Sequence, residues 1–202
     1  MNPTVDDVRT RILLEATRLF AARGYEGTSI QQIAQAAGIT RPTLVYHFGS
    51  KDQLRREVLE KLLGHWKDDL PRVLQAATTG SDRFRNATGA LLSFFRDDPN
   101  RARLLTREML DRPDEMTELF AEHLQPWTVL ISDYIRRGQQ EGRIREAADP
   151  EAYVIQLLHA VIGTVATGGA TRHILRDPPD LDRQLDELMR IARTSIFNDR
   201  PK

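Results

Sequence analysis

Residues 28–54 read TSIQQIAQAAGITRPTLVYHFGSKDQL, and the fold is decided by how this stretch divides into helices. Thr28 with Gln31, and Ser50 with Gln53, each place a hydroxyl three residues before an amide. That spacing lets the two side chains satisfy orphan backbone N–H groups at a helix start. The first box predicts a short helix to about Ala37. The second predicts a longer one with Leu54, Val58, Leu62 and Trp66 on its inner side. Between them Gly38-Ile39 marks a turn and Thr40 a further cap. Pro42 falls in the first turn of the next helix, where a missing N–H costs nothing. Residues 28–48 therefore read as short helix, tight turn, short helix. A helix-turn-helix needs a small residue for close packing, a glycine in the turn and an inward apolar residue on the second helix. Ala34, Gly38 and Leu44 supply them, with Ile33, Ile39 and Phe48 adding core.

With Leu44 facing inward, a rotation of about 100° per residue points Pro42 and Tyr46 away from the core and puts Thr43 and Val45 on the flanks. Arg41 sits at the exposed N-terminal end. This outward surface carries no acidic residue, as suits a helix entering the major groove of DNA. Thr28 and Ser29 at one helix start, and Lys51 at another, are candidate phosphate contacts. Thr40, Arg41, Pro42, Thr43, Tyr46 and His47 complete the candidate DNA-binding set. The same geometry also occurs as a purely structural piece, so the motif alone leaves both readings open.

Working outward, Val8, Ile12, Ala16, Leu19 and Phe20 share one helical face, and Gly24 stops that helix. Downstream, Phe84 to Arg96 reads as a helix. Asp98-Pro99 opens another to about Asp111. Residues 114–141 are helical with an interruption at Pro126, and Gly142 ends them. Asp149-Pro150 starts a helix to about Thr167, and a last one spans about Leu181 to Phe197. The expectation is an all-α fold: a three-helix helix-turn-helix domain over 1–67, then a larger helical domain over 68–202.

The chain has 202 residues, 29 basic and 29 acidic. Residues 1–67 hold 10 Lys/Arg against 7 Asp/Glu, and the remainder 19 against 22, so the N-terminal part is the more basic. The absence of cysteine excludes disulfides and thiolate-bound metals. No apolar run reaches the roughly 18 residues of a membrane span. Met1 to Thr10 has no signal-peptide core, so a cytoplasmic location is expected.

The stretch from Arg11 through Leu19-Phe20-Ala21-Ala22-Arg23-Gly24-Tyr25-Glu26-Gly27-Thr28-Ser29-Ile30 resembles the first helix and turn of the TetR family of transcriptional regulators. Ile33-Ala34-Gln35-Ala36-Ala37-Gly38-Ile39-Thr40 and His47-Phe48-Gly49-Ser50-Lys51-Asp52-Gln53-Leu54 resemble its continuation, so the likeness covers about residues 8–66 in order and spacing. One departure stands out. Members of that family usually carry a phosphate-touching Tyr directly after the inward residue, where this chain has Val45, followed by Tyr46. The resemblance implies a repressor that binds an inverted-repeat DNA operator as a homodimer and answers to a small-molecule effector, without a cofactor. By the same analogy residues 151–167 and 181–197 form the dimer surface. Stripes of Val154, Leu158, Val161 and Val165, and of Leu181, Leu185, Leu188, Ala192 and Ile196, are available, and Gly163 suits close approach. Packing inside one subunit is the alternative use of both stripes.

Candidates for an effector pocket are Phe94, Phe95, Met109, Phe120, His123, Trp127, Tyr134 and His159. Trp127 leads them because Pro126 interrupts the helix beside it. Ordinary core packing is the competing explanation for each. The histidines lack metal-ligand spacing, and Glu118 and Glu122 with His123 form the one weak metal grouping. No phosphate-binding glycine loop, nucleophile elbow or paired zinc histidines point to an enzyme. A helical protein–protein adaptor is the remaining alternative.

Overall fold

The computed structural model describes the backbone of residues 5–75, 80–170 and 174–198, and the side chains of 7–65, 83–170 and 174–198. The side chain of Trp66 lies outside these. Ten helices are described: α1 Val5–Arg23, α2 Ile30–Ala36, α3 Arg41–Phe48, α4 Lys51–Gln75, α5 Gly80–Asp97, α6 Pro99–Asp111, α7 Pro113–His123, α8 Gln125–Gln140, α9 Pro150–Thr167 and α10 Leu181–Ile196. The fold is all-α, as expected.

Local chemistry sets the boundaries. The Asp98, Asp149 and Asp180 carboxylates accept from backbone N–H groups at the starts of α6, α9 and α10. Gly24 ends α1 at φ 75°, and Gly142 follows α8 at φ 71°, a region where glycine alone is unstrained. Leu124 separates α7 from α8, with Pro126 in the first turn of α8. The first capping box lies one residue later than expected. Ser29 caps α2, its Oγ accepting from Gln32 N at 3.2 Å, while Gln32 Oε1 accepts from Ser29 N at 2.9 Å. Thr28 is drawn inward instead.

The main apolar core runs from Ile12, Phe20, Leu44 and Leu54 to Leu104, Met116 and Val161, and Ile135, Ile144 and Ile196 form a smaller second cluster. α6 is the joint: it packs against α1 on one side and α9 on the other. Arg107 of α6 donates through Nε to the Ala21 carbonyl at 2.9 Å, capping the C-terminal end of α1. α4 passes unbroken through residues 67 and 68 and packs against α1, α5 and α7. The helix-turn-helix and the larger helical part thus share a helix rather than a linker.

The two apolar stripes proposed from sequence as a dimer surface serve the subunit's own interior. Val161, Val165, Leu185, Ala192 and Ile196 are buried within the single chain, and Val154 and Leu158 line an internal cavity. The strongest apolar face of an amphipathic helix goes first to its own core. What α9 turns outward is Ile155, 40% exposed, with exposed His159 and Thr167. On α10 it is Ile191, 50% exposed. A side chain at Gly163 would meet nothing within 4 Å.

Candidate nucleic-acid interface and internal cavity

α3 is built as a rigid presenter. Leu44 and Phe48 are buried on one side, anchoring it to α2 and α4. Thr40 caps it, its Oγ1 accepting from Thr43 N at 3.3 Å and lying 2.8 Å from Thr43 Oγ1. Gly38, at φ 65°, makes the turn, and Ile39 N donates to the Ala34 carbonyl at 3.0 Å. The far side of α3 is free. Arg41 and Pro42 are exposed, and Tyr46 is 86% exposed. Val45, at 38%, occupies the flank, so Tyr46 is the ring that projects. No acidic side chain lies on α3.

Arg9, absent from the sequence-derived set, locks the other end of α3. Its guanidinium donates to the His47 carbonyl at 3.1 Å, pairs with Glu57 of α4 at 2.5 Å, and lies 4.6 Å from the Phe48 ring centroid. A cation at a helix C-terminus complements the exposed carbonyls there. Its partners lie 38 and 48 residues away, so no local pattern announces the role.

The remaining candidates divide by burial. Ser29 is exposed at the start of α2. Thr28 is corrected: its side chain is buried, its hydroxyl donating to the Gly24 carbonyl at 2.8 Å and lying 3.2 Å from that of Leu19. It closes the end of α1 and offers nothing to a phosphate. Lys51 holds its ammonium 3.8 Å from the centroid of the Tyr25 ring. That ring also faces the guanidiniums of Arg112 at 4.5 Å and Arg55 at 5.7 Å, and its hydroxyl donates to Asp52 at 2.7 Å. Burial and the Asp52 carboxylate push the Tyr25 hydroxyl pKa up to about 12.

Behind this hub lies a buried ion pair. Arg55 of α4 donates to Glu108 of α6 at 2.6 Å, both side chains being buried, and also to Glu115 of α7. Hydrogen bonding from Arg55 lowers the Glu115 carboxyl pKa below its ordinary value.

A cavity of about 480 Å³ opens among α4 to α10, within the usual range for a small-molecule site. Phe95, Phe120, Trp127 and Tyr134 of the sequence-derived candidates line it, joined by Phe84, Tyr153 and Phe197, which sequence reading missed. The other candidates are corrected. Phe94 is buried, stacked on His65 at 4.6 Å and covered by Arg101. Met109 packs against the main core. His123 is partly buried away from the cavity lining, its Nε2 lacking a hydrogen-bond partner. His159 is exposed on α9. Helical periodicity says which residues share a face, not which neighbour that face meets. Glu118, Glu122 and His123 do not converge, and among the described residues no acidic or histidine cluster has metal-binding geometry. Nor, among these residues, is any helix long and apolar enough to cross a membrane.

Residues 12–58 match the family described as bacterial regulatory proteins, tetR family. The chain is 31% identical over 100 residues to the HTH-type transcriptional activator FasR of Mycolicibacterium smegmatis; the match covers 50% of this chain and 46% of FasR, about half the length of that relative. It is 29% identical over 165 residues to the HTH-type transcriptional repressor KstR2 of Rhodococcus jostii, covering 74% of this chain and 76% of that one. Among solved structures, the ketosteroid transcriptional regulator KstR2 of Mycobacterium tuberculosis superposes with a TM-score of 0.76 at 18% identity, covering 98% of both chains.

Proposed function

We propose that this chain, whose residues 12–58 match the family described as bacterial regulatory proteins, tetR family, is a DNA-binding transcriptional regulator of that family, a ligand-responsive repressor acting in the cytoplasm. It binds an inverted-repeat operator as a homodimer, and a small molecule in the internal cavity releases or engages it. The observation that carries the reading is the free face of α3: Arg41, Pro42 and the fully projecting Tyr46, acid-free, on a helix locked from behind by Leu44, Phe48 and Arg9.

In this reading Arg41, Thr43 and Tyr46 meet base edges and adjacent backbone, while Ser29, Thr40, Pro42, His47 and Lys51 border the phosphates. A single helix gives weak, largely nonspecific binding. Two copies related by a twofold axis read two half-sites about 34–36 Å apart, or a multiple of that. The outward faces of α9 and α10, within residues 151–167 and 181–197, supply the twofold contact. The 1–67 part binds DNA, the 68–202 part senses and dimerises, and α4 connects them. An effector shifts operator affinity only by binding the two states unequally.

The test is selection of genomic fragments by the purified protein at moderate salt. An aligned inverted repeat is expected. No enrichment, with or without cell-extract metabolites, overturns the reading in favour of a helical adaptor.

A further inference from the structure

Resting on the reading of the cavity as the effector site, we propose that the effector is an amphiphile with a long apolar body and an anionic head. The interior is aromatic and aliphatic, with Phe95, Phe120, Trp127 and Ile162 among its walls. The hydroxyls of Thr88, Thr128 and Tyr153 are already spent on the protein, while that of Tyr134, at the charged end, accepts from Arg143 Nη1 at 3.4 Å. Thr88 donates to the Phe84 carbonyl at 2.5 Å, Thr128 to that of Gln125 at 3.0 Å, and Tyr153 to that of Ala192 at 2.7 Å. A sugar, nucleoside or peptide in this space would leave its own donors and acceptors unpaired, at a cost no apolar wall repays. A hydrocarbon body meets no such cost.

Among the described residues, the charged ones in the lining are Arg83, Asp133 and Arg137. They gather near Tyr134, since Asp133 and Arg137 flank it on α8 and Arg83 lies 5.9 Å from its ring centroid. Asp133 is neutralised by Arg136 at 2.8 Å. Neither Arg83 nor Arg137 pairs with a carboxylate among the described residues. Both arginines are exposed, so among the described residues the surplus positive charge stands at one end of the cavity, where it opens to solvent. A carboxylate or phosphate head finds charge-assisted donors there. A cationic head meets two guanidiniums, and the Tyr134 ring already faces one of them.

The test is calorimetric titration of the 202-residue chain with dodecanoate, dodecanol and dodecyltrimethylammonium below their aggregation concentrations, with Trp127 fluorescence, isolated by Trp66→Phe, as a second readout. Dodecanoate is expected to bind about tenfold or more tighter than the other two, with affinity rising about fourfold for each added methylene until the cavity is filled. Arg83→Gln with Arg137→Gln removes the preference and leaves dodecanol unchanged. Ala87→Phe, which fills the cavity, weakens all three; Leu91→Trp replaces it should that variant not fold. Equal affinity for the three probes, or a preference untouched by the double variant, overturns the anionic head and leaves the cavity reading standing. Binding unmoved by a folded cavity-filling variant overturns the cavity reading itself.

Discussion

Thr28 and Tyr46 both carry hydroxyls at the margin of the helix-turn-helix, and burial gives them opposite jobs. Tyr46 touches little of its own chain. Tyr46→Ala is expected to leave the melting temperature unchanged and to weaken operator binding by about tenfold, the worth of one good contact; an unchanged affinity would remove Tyr46 from the interface. Thr28 ties off carbonyls at the end of α1. Thr28→Val therefore costs about 1–2 kcal/mol of stability, read by denaturant unfolding, and does not alter the salt dependence of DNA binding. Lys51 stands between these cases, with its charge intact above the Tyr25 ring. Lys51→Ala is expected to lower affinity nearly equally on all DNA sequences and to reduce the salt slope by about one phosphate contact. Sequence spacing pointed to Thr28 with Gln31, whereas the structure uses the overlapping pair one residue later, Ser29 with Gln32. Nothing local chooses between them. The choice is made by the end of α1, whose carbonyls need a donor.

At the scale of elements, the starts and stops were legible because capping is local chemistry. Asp98-Pro99, Asp149-Pro150, Gly24 and Gly142 each act within a few residues. The clamps between elements were not legible. Arg55 reaches Glu108 across 53 positions, and Arg107 reaches Ala21 across 86. In the sequence each reads as one more charge on a solvated helix. Their effect is to tie α4 and α1, which carry the helix-turn-helix, to α6 and α7. Arg55→Ala strands the buried Glu108 carboxylate, and unfolding experiments should show a loss of about 3–5 kcal/mol; a loss below about 1 kcal/mol would show that water or a second cation replaces it. Glu115 adds a pH dependence. Its folded-state pKa is depressed by the Arg55 hydrogen bond, so its stabilisation is present above the ordinary value of 4.5 and is lost as pH falls below it. Acidifying from neutrality through that range should lower the melting temperature more in the wild type than in Glu115→Gln. Parallel curves would mean that the half-exposed pair is screened by solvent.

For the whole molecule, the proposed homodimer turns on which surface meets a second copy. An inverted-repeat reader needs a twofold axis; α9 and α10 each leave an apolar residue uncovered, Ile155 and Ile191, as α8 does with Val129 and Leu130. Apolar periodicity found these helices but selected their inner faces, because Val161, Val165, Leu185 and Ile196 make the stronger stripes and are consumed by the core. The outer face is weaker and mixed: Ile155, His159 and Gly163 at intervals of four on α9, and Ile191 on α10 between exposed Arg190 and Thr194. The two faces predict different phenotypes. Ile155→Glu with Ile191→Glu introduces charge where a partner must desolvate it, so the variant is expected to sediment as a monomer, melt near the wild-type temperature and lose specific operator binding while keeping weak, salt-sensitive DNA affinity. Ile196→Ala opens the interior and costs about 2–5 kcal/mol, yet below its lowered melting temperature it should still dimerise and still find the operator. A dimer that survives the double glutamate variant would move the twofold axis away from α9 and α10, and with it the half-site spacing that the operator must show.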